Sequence, residues 1–171
     1  MYRFWPVTKQ LLDAIDVSLV VEIGSDTGLQ TRLLAEYCDT HRAQLHVIDP
    51  LPKYDVELFS KEFQTPPFFH LDTSISSLTK ISAPSAVLID GDHNYYTVRT
   101  ELEILRDQAR HQGNALPLIL LHDVCWPYGR RDLYYDPDTI PEEFLHPWRR
   151  AGLHPDKSEP DESEALCVRV R

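Results

Sequence analysis

The chain has 171 residues and a formal net charge of −10, from 17 basic and 27 acidic side chains. Hydrophobic residues make up 42% and charged residues 26%, a composition that excludes a disordered chain and predicts one globular domain over residues 1–171. The acidic balance argues against broad binding to the phosphate backbone of nucleic acid.

Apolar, β-branched runs alternate along the chain with amphipathic stretches. The runs predict strands at residues 17–23, 44–48, 68–71, 86–89 and 116–121. Helices are predicted near residues 29–38, 53–63 and 97–111, with a weak polar turn or helix at 74–81. Alternating strands and helices predict an α/β fold in which helices cover a parallel sheet.

The sequence changes character after residue 123. Residues 124–141 are rich in Pro, Gly and aromatic side chains, and we predict a long, ordered loop inserted there. A short helix is predicted at 141–151 and a final strand at 165–171.

The inserted loop carries candidate substrate contacts. It starts directly after a predicted strand, so we expect it at the mouth of any site there. Trp126, Tyr128 and Tyr134 offer flat apolar faces, and Arg130 and Arg131 offer donors for an anionic group on the substrate. Alternatively, the aromatic side chains pack on the sheet edge and the arginines pair with acidic residues of the loop.

A glycine-containing turn follows the first predicted strand. It differs from the GxGxxG pattern of dinucleotide-binding proteins, because Asp26 stands where the second glycine should be. A carboxylate there, close to Glu22, would repel a pyrophosphate but suits a ligand with an ammonium and a sulfonium group. An ordinary strand-to-helix turn would use Gly24 and Gly28 equally well.

Asp49 ends the second predicted strand. An acidic side chain at that place can accept hydrogen bonds from both hydroxyls of a ribose. Together with the glycine turn upstream, Asp49 indicates a nucleoside-binding site. The alternative is an Asp-Pro turn that only ends the strand.

The densest polar cluster follows the fourth predicted strand and includes Asp90, Asp92 and His93. Asp90 and Asp123 end strands that we expect to be neighbours, and two adjacent carboxylates repel each other unless a cation or proton lies between them. Oxygen ligands with one imidazole suit Mg²⁺, Mn²⁺ or Fe²⁺ better than a structural zinc. His93 is suited to proton abstraction. Alternatively, Asp92 and His93 cap the next helix.

These features together resemble the class I S-adenosylmethionine-dependent methyltransferases. The stretch LIDGDHNYYTVRTELEIL, followed by LILLHDV, resembles more narrowly the family of macrocin O-methyltransferases and cephalosporin hydroxylase-like proteins. The resemblance extends over residues 17–125. It implies a Rossmann-like, doubly wound, mostly parallel sheet in three αβα layers, with an antiparallel last strand.

The resemblance also implies roles for individual residues. The positions that match cofactor-binding positions of the family are Glu22, Gly24, Ser25, Gly28, Asp49, Asp72, Thr73 and Asp90. Asp90 and Asp123 match metal-ligand positions, and His122 stands where relatives often carry another acidic residue. His93 matches the general base of the histidine-using relatives.

The predicted function is therefore an S-adenosylmethionine-dependent O-methyltransferase that acts on a small hydroxylated molecule. A Mg²⁺ or Mn²⁺ ion at Asp90 and Asp123 would lower the pKa of the acceptor hydroxyl, and His93 would accept its proton. Three alternatives stay open: a glycosyltransferase that uses Asp90-Gly91-Asp92 as a DxD motif for a sugar nucleotide, a hydroxylase-like member of the family, and a non-catalytic member.

Two parts of the fold are left open by the sequence. Many relatives carry additional helices before the first strand, and only residues 1–16 precede it here. A loop, a partner subunit or nothing would then cover the site. A short strand near 152–154, with the final strand, would complete the seven-stranded sheet that the resemblance implies.

Targeting and redox features predict a cytoplasmic protein. The first residues lack the charged start and long apolar run of a secretory signal, and no stretch reaches the roughly 20 apolar residues of a membrane span. Cys38, Cys125 and Cys167 form no CxxC pair, so the disulfide framework of a secreted protein is not expected. We expect a small-molecule substrate, with neither nucleic acid nor a membrane as partner, and homo-oligomer formation stays open.

Overall fold

The apolar runs assemble into one sheet in a computed structural model, which describes residues 1–93, 95–123 and 167–169. Its strands within these residues are β1 (Leu19–Ile23), β2 (Gln44–Ile48), β3 (Phe68–His70), β4 (Ala86–Ile89), β5 (Leu118–Leu121) and β6 (Cys167–Arg169). They lie in the order β3-β2-β1-β4-β5-β6. Strands β1 to β5 are parallel, and β6 pairs antiparallel with β5. The predicted fold class, with its antiparallel last strand, is confirmed.

The strand order reverses at β1. The chain runs outward from β1 to β3 and then crosses to the other side of β1 to form β4, and such a reversal opens a crevice at the carboxyl ends of the strands. Ile23 pairs with Ile48 of β2 and with Ile89 of β4. The loops after these three strands therefore start side by side, at Gly24, Asp49 and Asp90.

Helices cover both faces of the sheet. Their bounds are α1 (Trp5–Asp13), α2 (Leu29–His41), α3 (Val56–Ser60), α4 (Ser74–Leu78) and α5 (Tyr95–Gln112), and a 3₁₀ turn spans Tyr2–Phe4. Buried side chains of α1, α2 and α3 pack on one face of the sheet, and those of α4 and α5 pack on the other. This gives the predicted three layers.

Alternating side chains of the central strands supply both cores. In β4, Ala86 and Leu88 belong to the core under α1 to α3, whereas Val87 and Ile89 belong to the core under α4 and α5. All four side chains are buried. A strand covered on both sides has no polar face, which is why β4 reads in the sequence as an unbroken apolar run.

Several element bounds differ from the sequence prediction. Helix α2 continues to His41, where Arg42 ends it in the left-handed conformation at φ 56°. Helix α3 is five residues long rather than eleven, because Asp55 caps its start by accepting from the backbone N–H groups of Glu57 and Leu58. The weak element after β3 forms the short helix α4.

Helix α1 was not predicted. Pro6 stands at its start, where a missing N–H costs nothing. Its Leu12 is fully buried, and Trp5 packs edge-on against Tyr37 of α2. The helix is thus held by tertiary packing on α2, which the local sequence pattern does not reveal.

The predicted loop at 124–141, the helix at 141–151 and the strand at 152–154 lie outside the described residues. Of the predicted final strand, residues 167–169 are described and form β6. In the part of the chain that the structure describes, no helix combines the length and apolar character that crossing a membrane requires.

Candidate active site

A cavity of about 740 Å³ opens at the carboxyl ends of β1, β2 and β4, at the reversal of strand order. Its lining residues are Ile23, Gly24, Asp26, Ile48, Asp49, Pro50, Leu51, Lys53, Thr73, Ser74, Ile75, Asp90, Gly91, Asp92 and Thr97. Four of the predicted cofactor-binding residues are in this wall: Gly24, Asp49, Thr73 and Asp90. Asp26, the acidic residue of the glycine turn, also lines it. The volume is that of a small-molecule site.

Gly24 allows the loops after β1 and β4 to touch. Its φ is +86°, and a Cβ atom there would lie 2.4 Å from the carbonyl oxygen of Asp90 and 2.5 Å from Cα of Gly91. Its N–H donates to the carbonyl of Ile48 on β2 at 2.9 Å. Gly24 thus joins the three strand ends that form the cavity.

The second glycine of the turn, Gly28, lies where the loop leads into α2 and is close to the ring of Tyr54. Gly28 has φ +80° and precedes α2, and a Cβ atom there would meet the ring of Tyr54 at 3.0 Å. Asp26 is exposed and forms an ion pair with Lys53. The acidic residue that distinguishes this turn from a dinucleotide fingerprint therefore has a cationic partner at the cavity edge.

Asp49 binds the glycine turn with its carboxylate. Its Oδ2 accepts from the backbone N–H of Ser25 at 2.8 Å, from the Ser25 hydroxyl at 2.9 Å and from the N–H of Asp26 at 3.0 Å. Its Oδ1 accepts from the N–H of Leu51 at 2.9 Å. Burial alone would raise the pKa of Asp49, but these hydrogen bonds outweigh it and lower the pKa. Asp49 is therefore ionised, and Oδ1 keeps acceptor capacity at the cavity.

Glu22 lies beneath the turn rather than in the cavity wall. Its side chain is 1% exposed, and neither carboxyl oxygen has a partner within hydrogen-bonding geometry, although the Thr31 hydroxyl lies nearby. Burial raises the pKa of Glu22 to about 8, so the group is protonated at neutral pH. Ser25 and Gly28 also lie outside the wall, and they shape the turn rather than line the cavity.

A cluster of acidic and imidazole groups lies at the ends of β4 and β5. His122 Nδ1 lies 2.8 Å from Asp90 Oδ1 and 3.2 Å from Asp123 Oδ1. The Asp90 carboxylate raises the pKa of His122. The pKa of Asp90, which burial would raise, is lowered by His122 and by the α-ammonium group of Met1, 2.8 Å from Asp90 Oδ2. These side chains meet because β4 and β5 are paired neighbours in the sheet, and Asp90 and His122 each follow one of the two strands directly.

His93 completes the cluster from the start of α5. Its Nε2 lies 3.7 Å from Asp90 Oδ1 and 3.6 Å from Asp123 Oδ2. Ligand atoms of Asp90, His93 and His122 lie within 4.8 Å of one another, close enough to bind one metal ion. The sequence pattern predicted Asp90, His122 and Asp123 as ligands, and the geometry adds His93 to the candidates.

The segment before β1 contacts this cluster. Met1 is buried, and the ring of Phe4 meets the ring of His122 edge-on, with centroids 5.9 Å apart. The short N-terminal stretch therefore covers the β4 and β5 ends, a role that the sequence left open.

Another part of the cavity wall lies at the start of α4. Thr73 lines the cavity and caps α4 by accepting from the N–H of Ser76. Asp72 lies outside the wall, and its carboxylate accepts from the N–H of Thr73 at 2.7 Å and from the Ser76 hydroxyl at 2.6 Å. Of these two residues, Thr73 lines the cavity and Asp72 does not.

Some wall residues escaped the sequence analysis. Leu51 is 82% exposed and lines the cavity. Its position directly after Asp49-Pro50 is the sequence feature that could have predicted this. Thr97 lies in the first turn of α5 and donates its hydroxyl to Asp92 Oδ2 at 2.8 Å. That contact gives Asp92 a structural role beside the helix start.

The predicted substrate contacts Trp126, Tyr128, Arg130, Arg131 and Tyr134 lie outside the described residues.

Comparisons with known proteins support the fold and assign the family. A family model described as a methyltransferase domain matches residues 21–124, more than half of the chain. Precorrin-8W decarboxylase of Methanobacterium thermoautotrophicum is similar with a TM-score of 0.52 and 16% identity, covering 70% of this chain and 61% of its own. A Staphylococcus aureus protein assigned as a caffeoyl-CoA O-methyltransferase is similar with a TM-score of 0.53 and 16% identity. That match covers 73% of this chain and 58% of the Staphylococcus aureus chain.

The chain thus spans less than two thirds of the length of either solved structure. At this identity, the two structures bear on the fold alone. No curated protein sequence matches the chain.

Proposed function

The chain belongs to the methyltransferase domain family, and from that premise we propose that it is an S-adenosylmethionine-dependent O-methyltransferase assisted by a divalent metal ion. The proposal includes membership of the macrocin O-methyltransferase-like subfamily and a small hydroxylated acceptor. One observation carries it: Asp90 both lines the cavity and belongs to the acid and imidazole cluster. A methyl donor in the cavity and an acceptor at the cluster would meet at this residue.

The cavity wall offers groups that complement each part of S-adenosylmethionine. Asp49 has acceptor capacity for ribose hydroxyls, and Leu51 and Ile75 offer apolar surface for an adenine ring. Asp90 and Asp92 put negative charge where the ammonium and sulfonium groups would lie. When bound, this cofactor supplies a methyl group already activated toward attack by an oxygen.

The proposed metal ligands are Asp90, His122 and Asp123, since His122 Nδ1 lies 2.8 Å from Asp90 Oδ1 and 3.2 Å from Asp123 Oδ1. His93 lies next to this group and is assigned to proton transfer instead. The three ligands suit Mn²⁺ or Fe²⁺ and accept Mg²⁺ less readily, because Mg²⁺ prefers oxygen ligands. An ion held there would lower the pKa of an acceptor hydroxyl.

His93 is the proposed general base. Its Nε2 faces the carboxylates of Asp90 and Asp123, which would stabilise the imidazolium ion formed when it accepts a proton. The acceptor O–H bond would break as His93 takes the proton, and the oxygen would bond to the methyl carbon as the methyl C–S bond breaks, with its electron pair left on the sulfur of the departing S-adenosylhomocysteine. His122 Nδ1 lies 2.8 Å from the same oxygen of Asp90 that His93 faces, Oδ1, and helps to hold this carboxylate in place.

Assay of S-adenosylhomocysteine release with a panel of small hydroxylated acceptors tests the proposal. His93→Gln should lower kcat about 100-fold or more and leave the Kd for S-adenosylhomocysteine unchanged. His111→Gln is the matched control, since His111 is exposed and only bonds within α5. EDTA should abolish turnover, and Mn²⁺ should restore it in the wild type but not in Asp123→Asn. Full turnover by His93→Gln, or by the EDTA-treated enzyme, would overturn the corresponding role.

The cluster favours one second candidate. Asp90, His93 and His122 supply one carboxylate and two imidazoles, the ligands of mononuclear iron(II) oxygenases, so a hydroxylase-like reaction remains a rival. Product formation that requires O₂, Fe²⁺ and a reductant, but not S-adenosylmethionine, would establish it. Calorimetry with S-adenosylmethionine against a UDP-sugar separates both from a glycosyltransferase, and binding without turnover would indicate a non-catalytic member.

A further inference from the structure

Two histidines meet near one edge of the sheet, outside the wall of the cavity. His46 lies on β2, and His70 lies on the neighbouring strand β3. In the register of this parallel pair His46 is opposite Phe68, two residues before His70, so both imidazoles leave the same face of the sheet. His46 Nδ1 lies 3.0 Å from His70 Nε2. Two ring nitrogens from positions 24 residues apart in the chain therefore face each other.

The surroundings of the pair keep both rings neutral and within reach of solvent. His46 and His70 are half-buried, and Phe68 beside them is 53% exposed. Burial lowers the pKa of both rings, and each also faces a basic group, His70 for His46 and Lys80 for His70. Asp72 Oδ2 lies 3.7 Å from the Lys80 ammonium group and offsets its charge. Neutral imidazoles have the lone pairs that metal ions bind.

The separation of the two nitrogens matches neighbouring corners of a metal coordination shell. An imidazole nitrogen binds a metal ion at about 2.0–2.1 Å, so two such ligands at a right angle lie about 2.8–3.0 Å apart. At the tetrahedral angle they would lie about 3.3–3.4 Å apart. The observed 3.0 Å therefore fits the square-planar or tetragonal shell of Cu²⁺ or Ni²⁺.

We propose that His46 and His70 form a second metal site, which binds Cu²⁺ or Ni²⁺ and is independent of the proposed function. In the hydrogen-bonded pair one ring donates N–H to the lone pair of the other. When a metal binds, the donating ring carries its proton on its other nitrogen instead, so both facing nitrogens are ligands and no net proton is released. Among the described residues no third His, Cys or carboxylate joins the pair, so water would fill the remaining positions.

Equilibrium dialysis with Cu²⁺ tests the proposal, because nitrogen ligands bind Cu²⁺ most tightly of the first-row divalent ions. Glutamine at both His46 and His70 should lower the number of bound Cu²⁺ ions by one. Either substitution alone should weaken the affinity for that ion at least about tenfold. Glutamine at both His41 and His111 is the matched control and should leave the number unchanged. These two imidazoles are exposed on α2 and α5, where each bonds to a carbonyl of its own helix.

Dialysis with Ni²⁺ and with Zn²⁺ tests the geometry. The ion that the His46 and His70 double variant loses should bind more tightly as Ni²⁺ than as Zn²⁺, because Zn²⁺ favours the wider tetrahedral angle. The reverse order would overturn the assignment to Cu²⁺ or Ni²⁺.

Crystals of the wild type soaked with CuCl₂ give a measurement that needs no variant. An anomalous difference peak about 2.0–2.1 Å from both His46 Nδ1 and His70 Nε2 would support the site. Peaks at the Asp90 cluster alone, or a double variant that binds as many Cu²⁺ ions as the wild type, would overturn it.

Discussion

Substitution of Gly24 by alanine should lower stability in two ways, through backbone strain at positive φ and through collision of the added Cβ atom with its neighbours. Comparison with Gly113→Ala separates the two costs. At positive φ an alanine is strained by roughly 1–2 kcal/mol, partly offset by about 0.4–1 kcal/mol because alanine restricts the unfolded chain. Gly113→Ala carries only these contributions, because its φ is +66° and nothing lies within 4 Å of the added Cβ atom. Its net destabilisation should lie between about 0 and 1.6 kcal/mol.

Gly24→Ala carries the same backbone cost and a collision. Its Cβ atom would lie 2.4 Å from the Asp90 carbonyl oxygen and 2.5 Å from Gly91 Cα, and neither is a flexible side-chain end that can turn away. Overpacking against such neighbours typically costs about 1–3 kcal/mol. For a chain of this length the extra cost lowers Tm by about 2–12 °C relative to Gly113→Ala.

Calorimetry gives the two Tm values, and repeating the scans with S-adenosylhomocysteine gives the ligand shift. Gly24→Ala must move the β4 loop away from the β1 loop, so it should also lose most of the ligand shift, whereas Gly113→Ala should retain it. Equal Tm values for the two variants would refute the close approach of these loops. A lower Tm with an intact ligand shift would mean that the contact stabilises the fold without shaping the cavity.

Three further predictions concern the turn, the core and the inserted loop. Asp49→Ala should destabilise the chain by about 1.5–3 kcal/mol and abolish the ligand shift. Asp39→Ala is the comparison, because it removes a carboxylate that accepts from the backbone N–H of Thr65 outside the cavity wall, so it should destabilise the chain but keep the shift. An unchanged shift in Asp49→Ala would contradict the ribose contact. The pKa of Glu22 rises from 4.5 in the unfolded chain to about 8 in the folded chain, so the folded state binds the extra proton and stability should fall as pH rises between these values. Glu22→Gln should flatten that slope of Tm against pH, and an unaltered slope would show that Glu22 is ionised in the fold. Alanine at both Arg130 and Arg131 should raise KM for an anionic acceptor without changing affinity for S-adenosylmethionine; kinetics with an uncharged acceptor serve as the comparison, and loss of cofactor binding would exclude a substrate-loop role.

Local sequence was sufficient for the sheet and for the edge of the sheet at which the cavity lies. The strands Gln44–Ile48 and Ala86–Ile89 have the predicted bounds. The second is buried on both faces, and such a strand reads as an unbroken apolar run that ends at a polar residue. The topology of parallel strands then places the residues after those strands at one edge of the sheet. For that reason Asp49 and Asp90 could be assigned to a cavity without coordinates.

Contacts across the fold decided what the local pattern could not. Glu22 and Asp26 both read as acids of one turn, but Glu22 is buried whereas Asp26 is exposed and paired with Lys53. The reason is that Glu22 belongs to strand β1, which is buried on both faces, and Asp26 lies in the loop after it. His93 and His122 meet because they follow β4 and β5, two strands that are far apart in the chain but paired in the sheet. Glu101 looks like an ordinary helix residue until α4 covers it. Periodicity is set by neighbours a few residues apart, whereas burial and partnership depend on side chains that are 24 to 89 positions away in the chain and meet only in the folded state.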